Sequence, residues 1–149
     1  MRKRSKKRGP VVAKKCSYDG INFQSNLEMY MYKALKNAGL EINYETETYT
    51  LIEGFVFEND SIERQSNSKG EFKNRGNKKI LPIKYTPDFT GKDFILEVKG
   101  RPNETFPIRW KLFKRYVKAN LPHVTLYKPQ KQSECDEVVK LILNKRKEK

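Results

Sequence analysis

Long apolar runs are missing from this chain of 149 residues. No stretch could cross a bilayer as a helix, and the N-terminus lacks the apolar centre of a secretory signal, so no membrane contact is expected. Histidine is nearly absent. His123 stands alone, which removes histidine-built zinc sites and histidine acid–base catalysis. It follows Leu121-Pro122 near an expected strand start and reads as structural. Cysteine is scarce too: Cys16 and Cys135 have no ligand-type spacing and read as free thiols in a reducing cytoplasm. Acidic residues are in deficit, with 18 Asp and Glu against 32 Lys and Arg, a formal net charge of +14. Such a surplus points to a polyanionic partner and says nothing of fold.

What is present is unevenly placed. Residues 1–16 form a basic arm carrying Arg2, Lys3, Arg4, Lys6, Lys7, Arg8, Lys14 and Lys15 and no acid. The tail, residues 145–149, is basic again. Arms of this kind are normally disordered alone and bind a phosphate backbone by releasing counterions. Between them, residues 17–144 are long enough for one domain with a real core, but not for two. No internal repeat is found.

Within that domain, Ser17 to Gln24 reads as an extended lead-in with a turn at Asp19-Gly20. A helix follows over Asn26–Ala38, capped by Ser25, stopped by Gly39, with Leu27, Met31, Ala34, Leu35 and Ala38 as its apolar stripe. Glu41–Leu51 reads as one strand, with Asn43, Glu45 and Glu47 together on one face, which reads as solvated although either acid could approach the site at Asp88 and Glu97. Residues 58–79 are polar, with six basic and four acidic side chains, and form a long loop or an extended hairpin. Ile80–Phe89 and Phe94–Lys99 read as strands joined by a tight turn at Gly91-Lys92-Asp93. After a loop from Arg101 to Pro107, a helix runs to Asn120. Its apolar face carries Trp110, Phe113, Val117 and Leu121. The basic residues Arg109, Lys111, Lys114, Arg115 and Lys118 lie on or beside a second face that has no acid. His123–Tyr127 is a short strand, and a last helix starts near Ser133 with Ser133-x-x-Asp136 as its cap. This order implies one α/β domain with a mixed sheet.

The chemistry concentrates in Tyr85-Thr86-Pro87-Asp88-Phe89 and Phe94-Ile95-Leu96-Glu97-Val98-Lys99-Gly100. Side chains alternate along a strand, so Phe94, Leu96 and Val98 share one face while Ile95, Glu97 and Lys99 share the other. A hairpin brings Asp88 beside Glu97 and Lys99. Two carboxylates and an ammonium on an apolar strand pair are costly unless something binds there. Oxygen ligands suit a hard cation such as magnesium, and a lysine can orient or deprotonate water or stabilise charge on a phosphate. Glu28 carries two readings. Ser25-x-x-Glu28 matches a capping box, and a first-turn glutamate can also reach over a sheet as a third acid.

The set Pro87-Asp88 with Glu97-Val98-Lys99 resembles the PD-(D/E)XK nuclease superfamily. Preceded by Asp19-Gly20-Ile21-x-Phe23-x-Ser25-x-x-Glu28 and followed by the basic-aromatic helix, it is similar to small phage endonucleases of the endonuclease I type, which resolve Holliday junctions. The resemblance implies a restriction-endonuclease-like domain, a central mixed sheet flanked by helices. It implies that Asp88, Glu97 and the Val98 carbonyl hold magnesium (or manganese in its place), that Glu28 completes the site, and that Lys99 serves the attacking water. It further implies branched or structured DNA as substrate, a homodimer for paired cuts, and the host cytoplasm as location if the gene is phage-borne. The sequence departs from that pattern at Asn43, where the family has an acid, unless Glu45 or Glu47 replaces it, and in the 58–79 insertion. Two other readings remain: a nicking or homing-like nuclease reading sequence through that insertion, and a non-catalytic nucleic-acid-binding protein on a nuclease fold.

Overall fold

The computed structural model describes residues 14–64 and 67–148. The basic arm's Arg2, Lys3, Arg4, Lys6, Lys7 and Arg8 lie outside the described residues.

The chain enters through a hairpin of β1 (Cys16–Tyr18) and β2 (Ile21–Phe23). Its two turn residues, Asp19 and Gly20, both have positive φ, the hairpin turn whose twist matches its strands. Helix α1 (Asn26–Asn37) then starts at Ser25, whose hydroxyl accepts from the Glu28 N–H at 3.1 Å. Gly39, at φ +72°, closes the helix: its N–H reaches the Lys36 carbonyl and that of Leu40 reaches Leu35.

The expected strand Glu41–Leu51 is two strands, β3 (Asn43–Tyr44) and β4 (Tyr49–Ile52). Glu45 breaks it with φ +49°, its N–H held by the Asp88 carbonyl at 2.9 Å. Residues 58–79 take the hairpin alternative. Strands β5 (Phe55–Phe57), β6 (Ile62–Glu63), β7 (Lys73–Asn74) and β8 (Lys78–Ile80) form one antiparallel arm, β5 against β8 and β6 against β7. Gly76 is required in it, because a Cβ there would overlap the Asn59 carbonyl oxygen. The strand expected over Ile80–Phe89 is likewise broken, into β9 (Ile83–Tyr85), which pairs with β4, and β10 (Phe89–Thr90). Pro82 and Pro87 fall at the breaks, where a missing N–H ends a ladder.

Strand β11 (Phe94–Leu96), helix α2 (Phe106–Asn120), strand β12 (Thr125–Tyr127) and helix α3 (Gln132–Lys147) complete the chain. The central sheet is mixed, in the order β12-β11-β10-β3, with β11 and β12 parallel and the other pairs antiparallel. The expected alternation holds. Phe94, Leu96 and Val98 pack with Met31, Leu35, Cys135, Val138 and Ile142 of α1 and α3. Ile95 points the other way, onto Phe106, Trp110, Phe113 and Val117 of α2. The protein is therefore an α/β domain whose mixed sheet is flanked by helices on both faces.

Several ends differ from expectation. Helix α2 starts at Phe106, so Pro107 sits in its first turn, where a missing N–H costs nothing. Helix α3 has Lys131 at its cap position without a side-chain bond, so Ser133 is not the cap. Asp136 instead accepts from the Tyr30 hydroxyl at 2.9 Å, tying α3 to α1. The tail is not a separate arm, since α3 runs through Lys147 and Arg146 pairs with Asp93 at 2.5 Å. His123 is exposed in the turn before β12. Both cysteines are free thiols, and burial pushes that of Cys135 up to about 12. Among the described residues no helix is long and apolar enough to cross a membrane.

Candidate functional site

Three breaks in regular structure build one cleft. The proline-ended strand before β10 delivers Asp88, the run past β11 delivers Glu97 and Lys99, and the first turn of α1 delivers Glu28. Glu97 and Lys99 continue the parallel pairing, their N–H groups bonding the carbonyls of Tyr127 and Pro129 at 3.0 Å each. A cleft of about 390 Å³ gathers Glu28, Glu45, Asp88, Glu97 and Lys99, with Lys84 and Arg109 also in its wall.

Three of these carboxylates are held by hydrogen bonds. Asp88 accepts the Val98 N–H at Oδ2, 2.6 Å away. Glu97 accepts the Tyr85 hydroxyl at 2.5 Å through Oε2 and faces the Lys99 ammonium at 3.4 Å through Oε1. Glu28 accepts from the Ser25 hydroxyl at 2.9 Å, the Tyr44 hydroxyl at 2.6 Å and the Gln24 N–H at 3.2 Å. Its capping reading is thus correct, with the back-bond made to Gln24 instead of Ser25. The same carboxylate also faces the cleft. One oxygen from each of Glu28, Glu45 and Asp88 lies within 4.8 Å of the others.

Crowding acids in a buried place disfavours their charges. Burial, then Glu97 and then Glu28, push Asp88 up to about 8. Glu97 is raised chiefly by burial, against the pull of Tyr85 and Lys99. Glu45 is raised by burial, Glu28 and Glu97. The Tyr85 phenol is raised as well, by burial first and by Glu97 next, so it stays a donor. Lys99 is braced over the Phe106 ring, 4.8 Å from its centroid. Oxygen-only donors, several charges and partial burial suit a hard divalent cation.

The structure thus brings together Glu28, Asp88, Glu97 and Lys99 as the sequence suggested. Val98 adds its N–H to Asp88 while its side chain sits in the core. Of the α2 bases, Arg109 lines the cleft, while Lys111, Lys114, Arg115 and Lys118 are exposed along the helix away from that wall. Two residues gain roles that the sequence left open or did not show. Glu45 is exposed, as a solvated face predicts, and one of its oxygens nonetheless joins the acid cluster beyond the strand break at its positive φ. Tyr85, to which the sequence gives no role, is the phenol that holds Glu97. Asn43 and Glu47 line a different cleft with Thr90 and Arg146.

Glu28→Gln separates its two roles. The amide keeps most of the cap bonds, so the loss of stability should be about 1 kcal/mol or less. If the charge serves the cleft, any reaction there should slow at least about tenfold. A thermal melt and a rate on this one variant measure both.

Comparison with curated proteins gives no match, and comparison with solved structures gives none. Residues 6–134 match the model of a protein family described as "Protein of unknown function (DUF1064)". That match covers most of the chain, and the protein therefore belongs to the DUF1064 family.

Proposed function

We propose that this protein is a magnesium-dependent DNA endonuclease that hydrolyses phosphodiester bonds in branched or otherwise structured DNA. One observation carries the reading: three carboxylate oxygens within 4.8 Å of one another, beside Glu97 and its lysine, in the cleft of a strongly basic chain. A protein that only bound DNA would gain nothing from buried acids near phosphate, because they repel it.

Magnesium or manganese held by Asp88 with Glu28 and Glu45, whose oxygens lie together, and by Glu97 and the Val98 carbonyl as the resemblance implies, would supply Lewis-acid chemistry and charge neutralisation. The residues do the rest. Lys99, an ammonium fixed between Glu97 and Phe106, orients the attacking water and stabilises the charge that builds on the phosphate, while the water's proton passes to a neighbouring carboxylate of the cleft. Arg109 and Lys84, in the cleft wall, hold the phosphates on either side. Tyr85 keeps Glu97 in place by donating to it. Water oxygen bonds to phosphorus in line, the bond to the 3′ oxygen breaks, and a 5′-phosphate is left without a covalent intermediate. A single site cuts one strand, so paired cuts across a junction need a homodimer. If the gene is phage-borne, the setting is the host cytoplasm, where phage DNA is replicated and recombined.

The test is incubation of supercoiled plasmid, a labelled four-way junction and a matched duplex with magnesium or with EDTA. Magnesium-dependent cuts mapping to the junction support the reading, and intact DNA in every lane refutes it. On the same substrates, glutamine at Lys111, Arg115 and Lys118 should weaken binding to unrelated sequences alike. It should also make the salt slope of binding shallower by about 2 to 3, since phosphate contacts carry no sequence information. An unchanged slope would make this stripe of α2 an ordinary solvated face.

A further inference from the structure

The arm formed by β5 to β8 leaves two features unexplained by the domain core. First, seven of the ten exposed large apolar side chains among the described residues lie between Ile52 and Ile83. Phe55, Val56, Phe72 and Leu81 are each more than half exposed. Isolated apolar residues on a surface need no account, but a concentration on one projecting element does. Second, the returning strand from Phe72 to Pro87 carries Lys73, Arg75, Lys78, Lys79 and Lys84 and no acid. Among the described residues none of these makes an ion pair. Asp60 and Glu63 of the outgoing strand are held within the arm, Asp60 by Asn74 and Asn77 and Glu63 by Ser61, and Arg75 bonds the Glu63 carbonyl. The lysines of the returning strand thus form a basic edge without ion pairs next to exposed apolar groups.

The shape narrows what that is. The arm is hydrogen-bonded nearly throughout: β4 pairs with β9, β5 with β8 and β6 with β7, while Arg75 and Asn77 add bonds to the Ser61 and Asn59 carbonyls. It is a two-stranded ribbon, and from Ile52 to Glu63 it reaches at most about 36 Å at roughly 3.3 Å per residue. Its base is Lys84, which lines the acidic cleft. A basic strand therefore leads outward from the place of proposed cleavage.

We infer that this ribbon docks in the major groove of duplex DNA flanking the cut. The inference rests on the nuclease reading and adds a substrate requirement: a length of intact duplex on one side of the scissile bond. The major groove is wide enough for a two-stranded ribbon, and its floor offers thymine methyl groups to apolar side chains. The lysines of the returning strand reach phosphates at the groove edge. One occupant thus accounts for both the bases and the apolar residues. A second copy of the chain docked arm to arm would cover the apolar residues, but Asp60 and Glu63, which it would offer to the returning strand's lysines, are already bonded within the arm, Asp60 to Asn74 and Asn77 and Glu63 to Ser61.

The test uses K73Q/K78Q/K79Q, all three exposed, and F72A separately. Binding to a labelled 30-base-pair duplex is followed by anisotropy in EDTA, so cleavage plays no part, and oligomeric state is read by sedimentation. The lysine variant should bind at least about tenfold more weakly at physiological salt, with a salt slope shallower by about 2.7 for three lost contacts. F72A should keep the slope and lose its preference for thymine over uracil in the flanking duplex. Netropsin, which fills the minor groove, should leave the difference between wild type and lysine variant in place. An unchanged slope in a wild type that binds DNA overturns the ribbon proposal and spares the nuclease reading. A wild type that binds no DNA refutes both. A wild-type dimer that F72A converts to monomer assigns the arm to self-association and overturns the proposal.

Discussion

Asp88→Asn is expected to abolish magnesium-dependent cleavage while leaving the fold and DNA binding in place. The asparagine oxygen can still accept the Val98 N–H, which now lies 2.6 Å from Asp88 Oδ2, so the loop before β10 keeps its anchor. What is lost is a charge. Electrostatic stabilisation at such a centre is worth several kcal/mol, and about 4 kcal/mol corresponds to roughly a thousandfold in rate. Binding should be unchanged or tighter, because one negative charge facing phosphate is gone. Glu97→Gln should behave alike in rate. It should differ in structure, because an amide cannot both accept from Tyr85 and pair with Lys99 as the carboxylate does. Gel cleavage beside anisotropy on the same preparations decides it. Near-normal turnover by Asp88→Asn would remove the site assignment altogether.

The parts of this site that were legible in sequence are those governed by period and by proline. Glu97 and Lys99 share a face because strands alternate, and the neighbouring Phe94, Leu96 and Val98 confirm the phase by packing on α1 and α3. Asp88 was marked by Pro87, which ends a ladder and exposes the next side chain to a cleft. Glu28 was legible twice over, as the third residue of a cap and as an acid in a first turn, and it fills both places. Glu45 was not singled out. The sequence allowed Glu45 or Glu47 to approach the site, but which of them does depends on φ +49° at a residue that is neither glycine nor asparagine, and no local pattern encodes that. The conformation is imposed from outside, by the hydrogen bond from its N–H to the Asp88 carbonyl. The arm was half legible for a related reason. Its ladder is made in steps of two or three residues, too short for alternation to show, and Gly76 matters through a close approach to Asn59 that only the folded hairpin reveals.

The acids also give the fold a pH dependence that magnesium should reverse. Asp88 ordinarily titrates near 3.8 and is raised to about 8 in the folded protein, chiefly by burial. The folded state therefore holds that proton more tightly than the unfolded chain. The stability this gives is fully present below the unfolded pKa and is lost as pH rises through about 8. Glu97 and Glu45 are raised in the same direction and add to the slope. Other groups oppose it: lowering the net charge of +14 at higher pH relieves repulsion across the whole surface. The clean measurement is thus the difference between wild type and Asp88→Asn, melted in EDTA from pH 5 to pH 9. Metal-free wild type should lose a few kcal/mol relative to the variant over that range, or about 5 to 10 °C in melting temperature for a chain of this size. Magnesium at about a hundred times its dissociation constant should restore roughly 2.7 kcal/mol to wild type at pH 9. It should restore much less at pH 5, where protons compete for the same oxygens. The variant should respond weakly at both. Superimposable profiles, with no magnesium shift at pH 9, would mean that the clustered acids neither repel one another nor hold a cation, and the basis for the proposed chemistry would be gone.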